Sequence, residues 1–229
     1  MMKRIAFVLG ALLLAAVVPV QADTIPVFST GVAVGGGLAG NATVDPHYVI
    51  TSGADNVFNG PEAYVALTPG VYPFTSWIPE TSNARWIGPR DSLAYPFGAG
   101  NYIYTTTFDL TGLDPASAVL LGGWATDNAG VDIVLNGVSL GIFSPNGSGE
   151  AGLVPFTISS GFVPGINTLQ FIVYNDTGAT GVLVDISGTA NPLNLRPTSE
   201  IPTSQVPEPT SLLLLSSGLV GVWLRRRAA

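Results

Sequence analysis

One short loop carries the residues best suited to ion or ligand chemistry. In WATDNAGVD, residues 124–132, Asp127, Asn128 and Asp132 place three oxygen-bearing side chains between two apolar segments. Carboxylate and amide oxygens are the usual ligands of Ca²⁺, although the spacing differs from that of an EF-hand loop. Asp and Asn also cap turns by bonding their own backbone. The loop is therefore a candidate cation or ligand loop, with turn capping as the alternative.

Tryptophan side chains offer a second kind of ligand chemistry, because an aromatic ring can stack on the face of a sugar. Trp77 and Trp86 lie near proline and asparagine in loop-like sequence, which makes them the better candidates for exposed, sugar-stacking rings. Trp124 ends an apolar run, which favours a place in the core. Ordinary core packing is the alternative for Trp77 and Trp86 as well.

Most catalytic chemistries are excluded by the residue inventory. The chain has one histidine, His47, and no cysteine, which excludes thiolate nucleophiles, multi-histidine metal sites and cysteine-based clusters. No Gly-x-Ser-x-Gly nucleophile elbow is present, and we expect His47 to be a structural or loop residue. Carboxylates are numerous enough for a glycosidase pair, but none lies in a recognisable motif.

Short β-strands must position these residues. No segment of the body has a helical apolar period, and no space is left for crossover helices, so the pattern predicts an all-β fold, an antiparallel β-sandwich. Asn136-Gly137 between two apolar runs predicts a hairpin. Residues 23–100 are expected to hold fewer strands and more loop. The predicted strands after residue 100 are 102–108, 118–124, 131–135, 138–142, 154–158, 168–174 and 181–186.

The charge of the body excludes some partners. Between Asp23 and Val206 there are fourteen acidic residues, three arginines and no lysine, a net charge near −11. Such a surface repels nucleic acid and anionic lipid. It can attract divalent cations, or keep the protein soluble outside the cell.

The first 22 residues have the features of a secretory signal peptide. A positive start at Lys3-Arg4 precedes an apolar segment, 5–18, and the small-x-small site Val20-Gln21-Ala22 follows. We therefore predict a signal helix over 1–22, with cleavage by signal peptidase between Ala22 and Asp23. The apolar segment is too short to favour the alternative, a retained anchor.

The other end has a different organisation. A β-sandwich domain over 23–190 leads into a linker, 191–206, rich in Pro, Ser and Thr. The apolar run 212–224 would span about 20 Å as a helix, which is marginal against a bilayer core of about 30 Å. The arginines after it are expected in the cytoplasm. The segment 207–229 is thus predicted to be a short hydrophobic helix that tethers the chain to the inner membrane.

Three features of this segment, in this order, resemble the PEP-CTERM sorting signal of bacterial exported proteins: Pro207-Glu208-Pro209, the apolar run, and Arg225-Arg226-Arg227. The resemblance implies export by the general secretory route and processing near Pro-Glu-Pro by a membrane-embedded exosortase. It also implies an association with exopolysaccharide and a final place at the cell surface or in the extracellular matrix.

Segments of the body have a resemblance of their own. VDIVLNGVSLGIF, LVPFTIS and FVPGINTLQFIVYN, within residues 100–190, resemble the galactose-binding-like jelly roll, and most of all the sugar-binding accessory domains of large glycosidases. Many such domains bind sugars, and many only act as scaffolds.

The expected function is that of a non-enzymatic surface or matrix protein that binds polysaccharide, with Ca²⁺ as the candidate ion. Its expected partners are signal peptidase, an exosortase, exopolysaccharide and, before processing, the membrane; no nucleic acid is expected. Two alternatives are open: a purely structural or adhesive biofilm protein without a small ligand, and an exported carboxylate-dependent glycoside hydrolase.

Overall fold

The computed structural model describes residues 21–193, apart from 56, 58–59, 68–72 and 94. The predicted sorting residues Pro207, Glu208, Pro209 and Arg225 to Arg227 lie outside the described residues, as do the predicted signal helix up to residue 20 and the linker from residue 194. Within the described part of the chain, no helix is both long and apolar enough to cross a membrane.

The described residues form short antiparallel strands with very little helix. One 3-10 turn covers Pro115–Ser117, and a four-residue helix, α1, covers Ser148–Ala151. The strands are β1 (Asp23–Thr24), β2 (Val44–Ser52), β3 (Glu62–Val65), β4 (Ile87–Gly88), β5 (Gly100–Asp109), β6 (Val119–Asp127), β7 (Ala129–Leu135), β8 (Val138–Ser139), β9 (Val154–Ile158), β10 (Ile166–Asn175) and β11 (Gly181–Ala190).

The strands follow one hydrogen-bonded path, in the order β8-β7-β10-β5-β2-β3-β4-β11-β6-β9, with β1 added beside β11. The path folds over, so that β10 and β6 face each other across the core. Trp124 of β6 and Phe171 of β10 meet there, with ring centroids 5.6 Å apart. The predicted antiparallel β-sandwich is confirmed.

The main core follows from a period of two along the strands. In β10, Leu169, Phe171 and Val173 are fully buried, and the residues between them are only partly buried. Successive side chains of a strand point to opposite faces, so this alternation directs one face of β10 into the sandwich. Tyr104 of β5, opposite Phe171 in the ladder, joins the same core.

A second, smaller core lies on the outer face of β6 and β11. Ala125 and Leu183 point away from the main core, and the segment between β3 and β5 covers them with Trp77 and Trp86. Both faces are therefore buried at the C-terminal end of β6 and the N-terminal end of β11. This explains why β6 and β11 are continuous apolar runs rather than alternating ones.

The predicted Asn136-Gly137 hairpin is present between β7 and β8. Both turn residues have positive φ, 52° and 79°, which Asn and Gly tolerate best. The Asn136 amide donates to Asn167 Oδ1 at 2.8 Å, and its Oδ1 accepts from the Thr168 N–H at 2.9 Å. The hairpin is thereby tied to the turn that opens β10.

Candidate ligand groove

The predicted Asp127–Asp132 loop is a tight reversal that separates its three polar residues. Asp127 ends β6, and Asn128 alone precedes β7. Asp132 lies within β7, opposite Ile172 of β10. The described residues contain no group of three or more His, Cys, Asp or Glu side chains that is arranged to hold a metal ion. Because the predicted set also relies on the Asn128 amide, a cation or ligand loop at Asp127, Asn128 and Asp132 stays a prediction.

Asp127 and Asn128 instead line a polar cleft at the end of β6. The cleft has a volume of about 130 Å³. Its other lining residues are Trp77, Thr126, Asn146, Gly147, Gly149 and Glu150. A second depression, of about 320 Å³, adjoins it over Pro145–Ser148 and Ala151–Pro155 and shares Asn146 and Gly147 with it. We call the two depressions together the groove.

The carboxylate of Asp127 lies in the inner part of the groove. Its Oδ2 accepts a hydrogen bond from the Trp77 indole N–H at 3.0 Å, and its backbone carbonyl accepts one from the Thr180 hydroxyl at 2.6 Å. Burial raises the pKa of Asp127 to about 6; the indole N–H opposes this, and the negative charges of Asp176 and Glu150 add to it. Asp127 therefore changes charge near neutral pH.

Buried hydroxyl groups hold one wall of the groove. Ser148 Oγ accepts from the backbone N–H of Thr126 at 2.9 Å and from the Ser144 hydroxyl at 2.6 Å. All three residues are almost completely buried. Because these bonds attach the segment 144–151 to β6, they fix the backbone that carries Asn146 and Glu150.

Trp77 and Trp86, the candidates for exposed, sugar-stacking rings, are buried instead, so the alternative of core packing applies to both. Their exposed fractions are 6% and 0%, and their rings lie against each other with centroids 4.4 Å apart. The Trp86 indole donates to the Ile78 carbonyl at 3.1 Å. The segment around them folds back onto β6 and β11 and buries both rings. Neither indole offers an open face for a sugar, although the N–H edge of Trp77 reaches Asp127 in the cleft.

The remaining predicted site residues lie outside the groove. Ala22 and Asp23 are exposed, and Asp23 begins β1, so cleavage between them stays a prediction. His47 lies on β2 and stacks on Phe28 with ring centroids 3.7 Å apart. It does not line the groove.

The sequence gives little indication that two residues, Asn146 and Glu150, line a groove. Asn146 and Glu150 belong to SPNGSGEAG, residues 144–152, whose composition indicates only a turn. The single acid in this stretch is the one feature that could have indicated them. Its proximity to Asp127 depends on the fold.

Comparisons with known proteins give one motif and one solved structure. The PEP-CTERM protein-sorting motif matches residues 205–228. No curated protein matches the chain. A solved structure, CBM35 from Paenibacillus barcinonensis, aligns with 17% identity over 64% of this chain and 98% of that one, with a TM-score of 0.31.

The fold and the motif together define an exported antiparallel β-sandwich protein with a C-terminal sorting motif. The motif confirms the resemblance of the tail and indicates a protein that is sorted by an exosortase.

Proposed function

We propose that this chain is an exported, non-enzymatic surface or matrix protein whose sandwich binds polysaccharide in the groove. The observation that carries the proposal is that two adjoining depressions share Asn146 and Gly147 in their lining. Two adjoining open depressions suit a polymer better than a single small molecule. Carboxylate and amide side chains supply hydrogen-bond acceptors and donors for sugar hydroxyls.

The charge of the groove favours a neutral or amino polysaccharide over an acidic one. Asp127 and Glu150 line it, and Asp176 lies close enough to affect Asp127. The body as a whole is strongly acidic. A uronic acid polymer would therefore be repelled both at a distance and within the groove.

In this proposal the chain is made with a signal peptide, 1–22, that signal peptidase removes. The sandwich domain, 23–190, is then held at the inner membrane through the linker 191–206 and the segment 207–229. An exosortase processes the tail near Pro207-Glu208-Pro209 and sends the body to the cell surface or matrix. The sorting motif at 205–228 supports the exosortase step.

A glycan array with the full-length protein tests the binding. We expect neutral or amino polysaccharides to bind the wild type, and both Asn146→Ala and Glu150→Gln to weaken binding. Asn101→Ala removes a matched, exposed amide on β5 outside the groove and should change nothing. An array without signal would remove polysaccharide binding and leave the structural, adhesive alternative.

The sorting step has its own test. Replacing Pro207-Glu208-Pro209 by alanines should leave the full-length form in the membrane fraction, whereas alanines at Pro197-Thr198-Ser199 of the linker should not. Immunoblots of membrane and medium separate the two results. Normal trimming of the first variant would contradict the role of the motif.

A carboxylate-dependent glycoside hydrolase is the second candidate, and one observation favours it. Asp127 and Glu150 line the same cleft, and the raised pKa of Asp127 suits a general acid at neutral pH. Release of reducing ends from a bound polysaccharide, lost in Asp127→Asn, would support the hydrolase. Binding without turnover would support the first proposal.

A further inference from the structure

A depression outside the groove lies beside the paired strands β3 and β4. Its volume is about 260 Å³, and its lining consists of Ala42, Tyr64, Pro89, Arg90 and Asp91. None of these residues lines the groove. It is therefore a separate place on the body, and we call it the Tyr64 pocket.

The strand pattern directs Tyr64 into this pocket. Its neighbours Ala63 and Val65 are fully buried in the core, so the Tyr64 side chain points to the opposite face of β3. Its partners across the two ladders are Gly88 of β4 and Val44 of β2, and Val44 is itself 47% exposed. The ring is half-buried, which leaves part of it facing the depression.

The neighbouring side chains of Arg90 and Asp91, one positive and one negative, form the other wall of the pocket. Arg90 Nε lies 3.6 Å from Asp91 Oδ1, and both side chains are more than a third exposed, at 36% and 40%. The Arg90 guanidinium lies over the Tyr95 ring, 5.1 Å from its centroid. The backbone holds Asp91 in place, because its carbonyl accepts from the Leu67 N–H at 3.1 Å.

Arginine is scarce in this body, and the other described arginine has a different role. Arg85 donates to Glu80 at 3.0 Å and to the Ala39 carbonyl at 2.7 Å, and it also bonds Asn41. These contacts join the segment around residue 40 to that around residue 85. Arg90, by contrast, lines the Tyr64 pocket.

We propose that the Tyr64 pocket is a second saccharide site, which takes one neutral sugar residue. The sugar ring lies against Tyr64, and two vicinal hydroxyls bridge Arg90 and Asp91. A vicinal diol both donates and accepts hydrogen bonds, so it matches a guanidinium beside a carboxylate. The pair has no net charge, and an acidic sugar would meet Asp91 and the acidic body around it.

Two saccharide sites on one body have a consequence that neither has alone. The pocket and the groove can hold two segments of polysaccharide at once. Binding at the second site is then intramolecular for one folded chain of polymer, or forms a crosslink between two. The pocket and the groove have no lining residue in common, so a substitution can abolish binding at one site and leave the other intact.

Saturation-transfer NMR on the full-length protein tests the pocket, with methyl glucoside, methyl galactoside and methyl mannoside as neutral probes and methyl glucuronide as the acidic probe. We expect transfer to at least one neutral probe and weaker transfer to the glucuronide. Tyr64→Ala should weaken the binding of that neutral probe about tenfold, which is about 1.4 kcal/mol. Tyr64→Phe keeps the ring and should bind like the wild type, and Asp91→Asn should bind less well.

The groove variant Asn146→Ala separates this inference from the proposed function. Neutral-probe binding that survives Asn146→Ala and is lost in Tyr64→Ala supports the pocket. Loss in Asn146→Ala alone assigns the signal to the groove and overturns the pocket. Absence of transfer to all three neutral probes, or tighter binding of the glucuronide, overturns it too. If Tyr64→Ala fails to fold, the Tyr64→Phe and Asp91→Asn results decide.

Discussion

Replacing Asp127 by asparagine should change how the stability of the protein depends on pH. The folded state raises the pKa of Asp127 from its ordinary value of 3.8 to about 6, chiefly by burial. The native state therefore binds this proton more tightly than the unfolded state does. The resulting stabilisation is complete at pH values below 3.8 and is lost as the pH rises through about 6.

The size of the effect follows from the two pKa values. Without any screening by water, the difference between the two pKa values would contribute about 3 kcal/mol to the free energy of unfolding. Asp127 is only partly buried, and water screens the penalty of its charge, so we expect about 1–2 kcal/mol. The Asp127→Asn variant has no charge to lose. Relative to the wild type, its free energy of unfolding should therefore rise by this amount between about pH 4 and about pH 8.

Urea unfolding across this pH range, followed by the fluorescence of the buried tryptophans, measures the difference. The comparison must be between variants, because other carboxylates also titrate and burial raises the pKa of Asp45. Glu62→Gln removes one exposed carboxylate on β3 and serves as the matched control. Parallel pH profiles for the wild type and Asp127→Asn would refute the reasoning, because they would show that the fold does not penalise this charge.

Three further predictions concern single contacts. Trp77→Phe should raise the pKa of Asp127 further, because the lost indole N–H stabilises the carboxylate; a carboxyl NMR titration would show an unchanged value if the hydrogen bond were unimportant. Gly130→Ala should cost about 1–3 kcal/mol in urea unfolding, because the new Cβ would lie 2.4 Å from Trp124 Cη2. Gly35→Ala, with no atom within 4 Å of its Cβ, should change stability by less than about 0.5 kcal/mol, and equal costs at both positions would contradict the packing argument. Asn136→Ala should cost about 2 kcal/mol by thermal unfolding. Asn136→Asp should cost at least as much, because its second carboxylate oxygen would face the acceptors Asn167 Oδ1 and the Gly161 carbonyl; a smaller loss than in Asn136→Ala would show that the bond from the Thr168 N–H dominates.

The second half of the sandwich was predictable because its signals are local. The alternation in β7 and the Asn136-Gly137 turn belong to adjacent residues, and the structure places the hairpin there. The long apolar runs of β6 and β11 also predict strands, because a strand that is buried on both faces is apolar at successive positions. The expectation of more loop before residue 100 also agrees with the structure, where β1 and β4 have two residues each.

The second core and the groove were not predictable for the opposite reason. Trp77 and Trp86 have no apolar period around them, and their burial depends on a sheet face formed much later in the chain. Trp77 and Asp127, which share a hydrogen bond, are 50 residues apart. Neither residue carries a local signal for the other. Asp127 ends β6 and Asp132 lies within β7, and a shared site for the two stays a prediction.

The C-terminal end of β11 determines how the body would carry a mechanical load. Ala190 and Thr189 pair with β1, and Thr189 also pairs with Val119 of β6, so the strand is held on both sides.

Beyond β11, the chain is held again by the turn after β5. The Asn191 carbonyl accepts from the Asp114 N–H at 2.8 Å, and the Leu193 N–H donates to Gly112 at 2.8 Å. A pull through the linker would therefore be shared at once by three parts of the sandwich. Because β11 lies inside the sheet, with strands on both sides, force would have to shear it rather than peel off an edge. In the proposed role at the cell surface, this arrangement would resist drag on a bound polysaccharide.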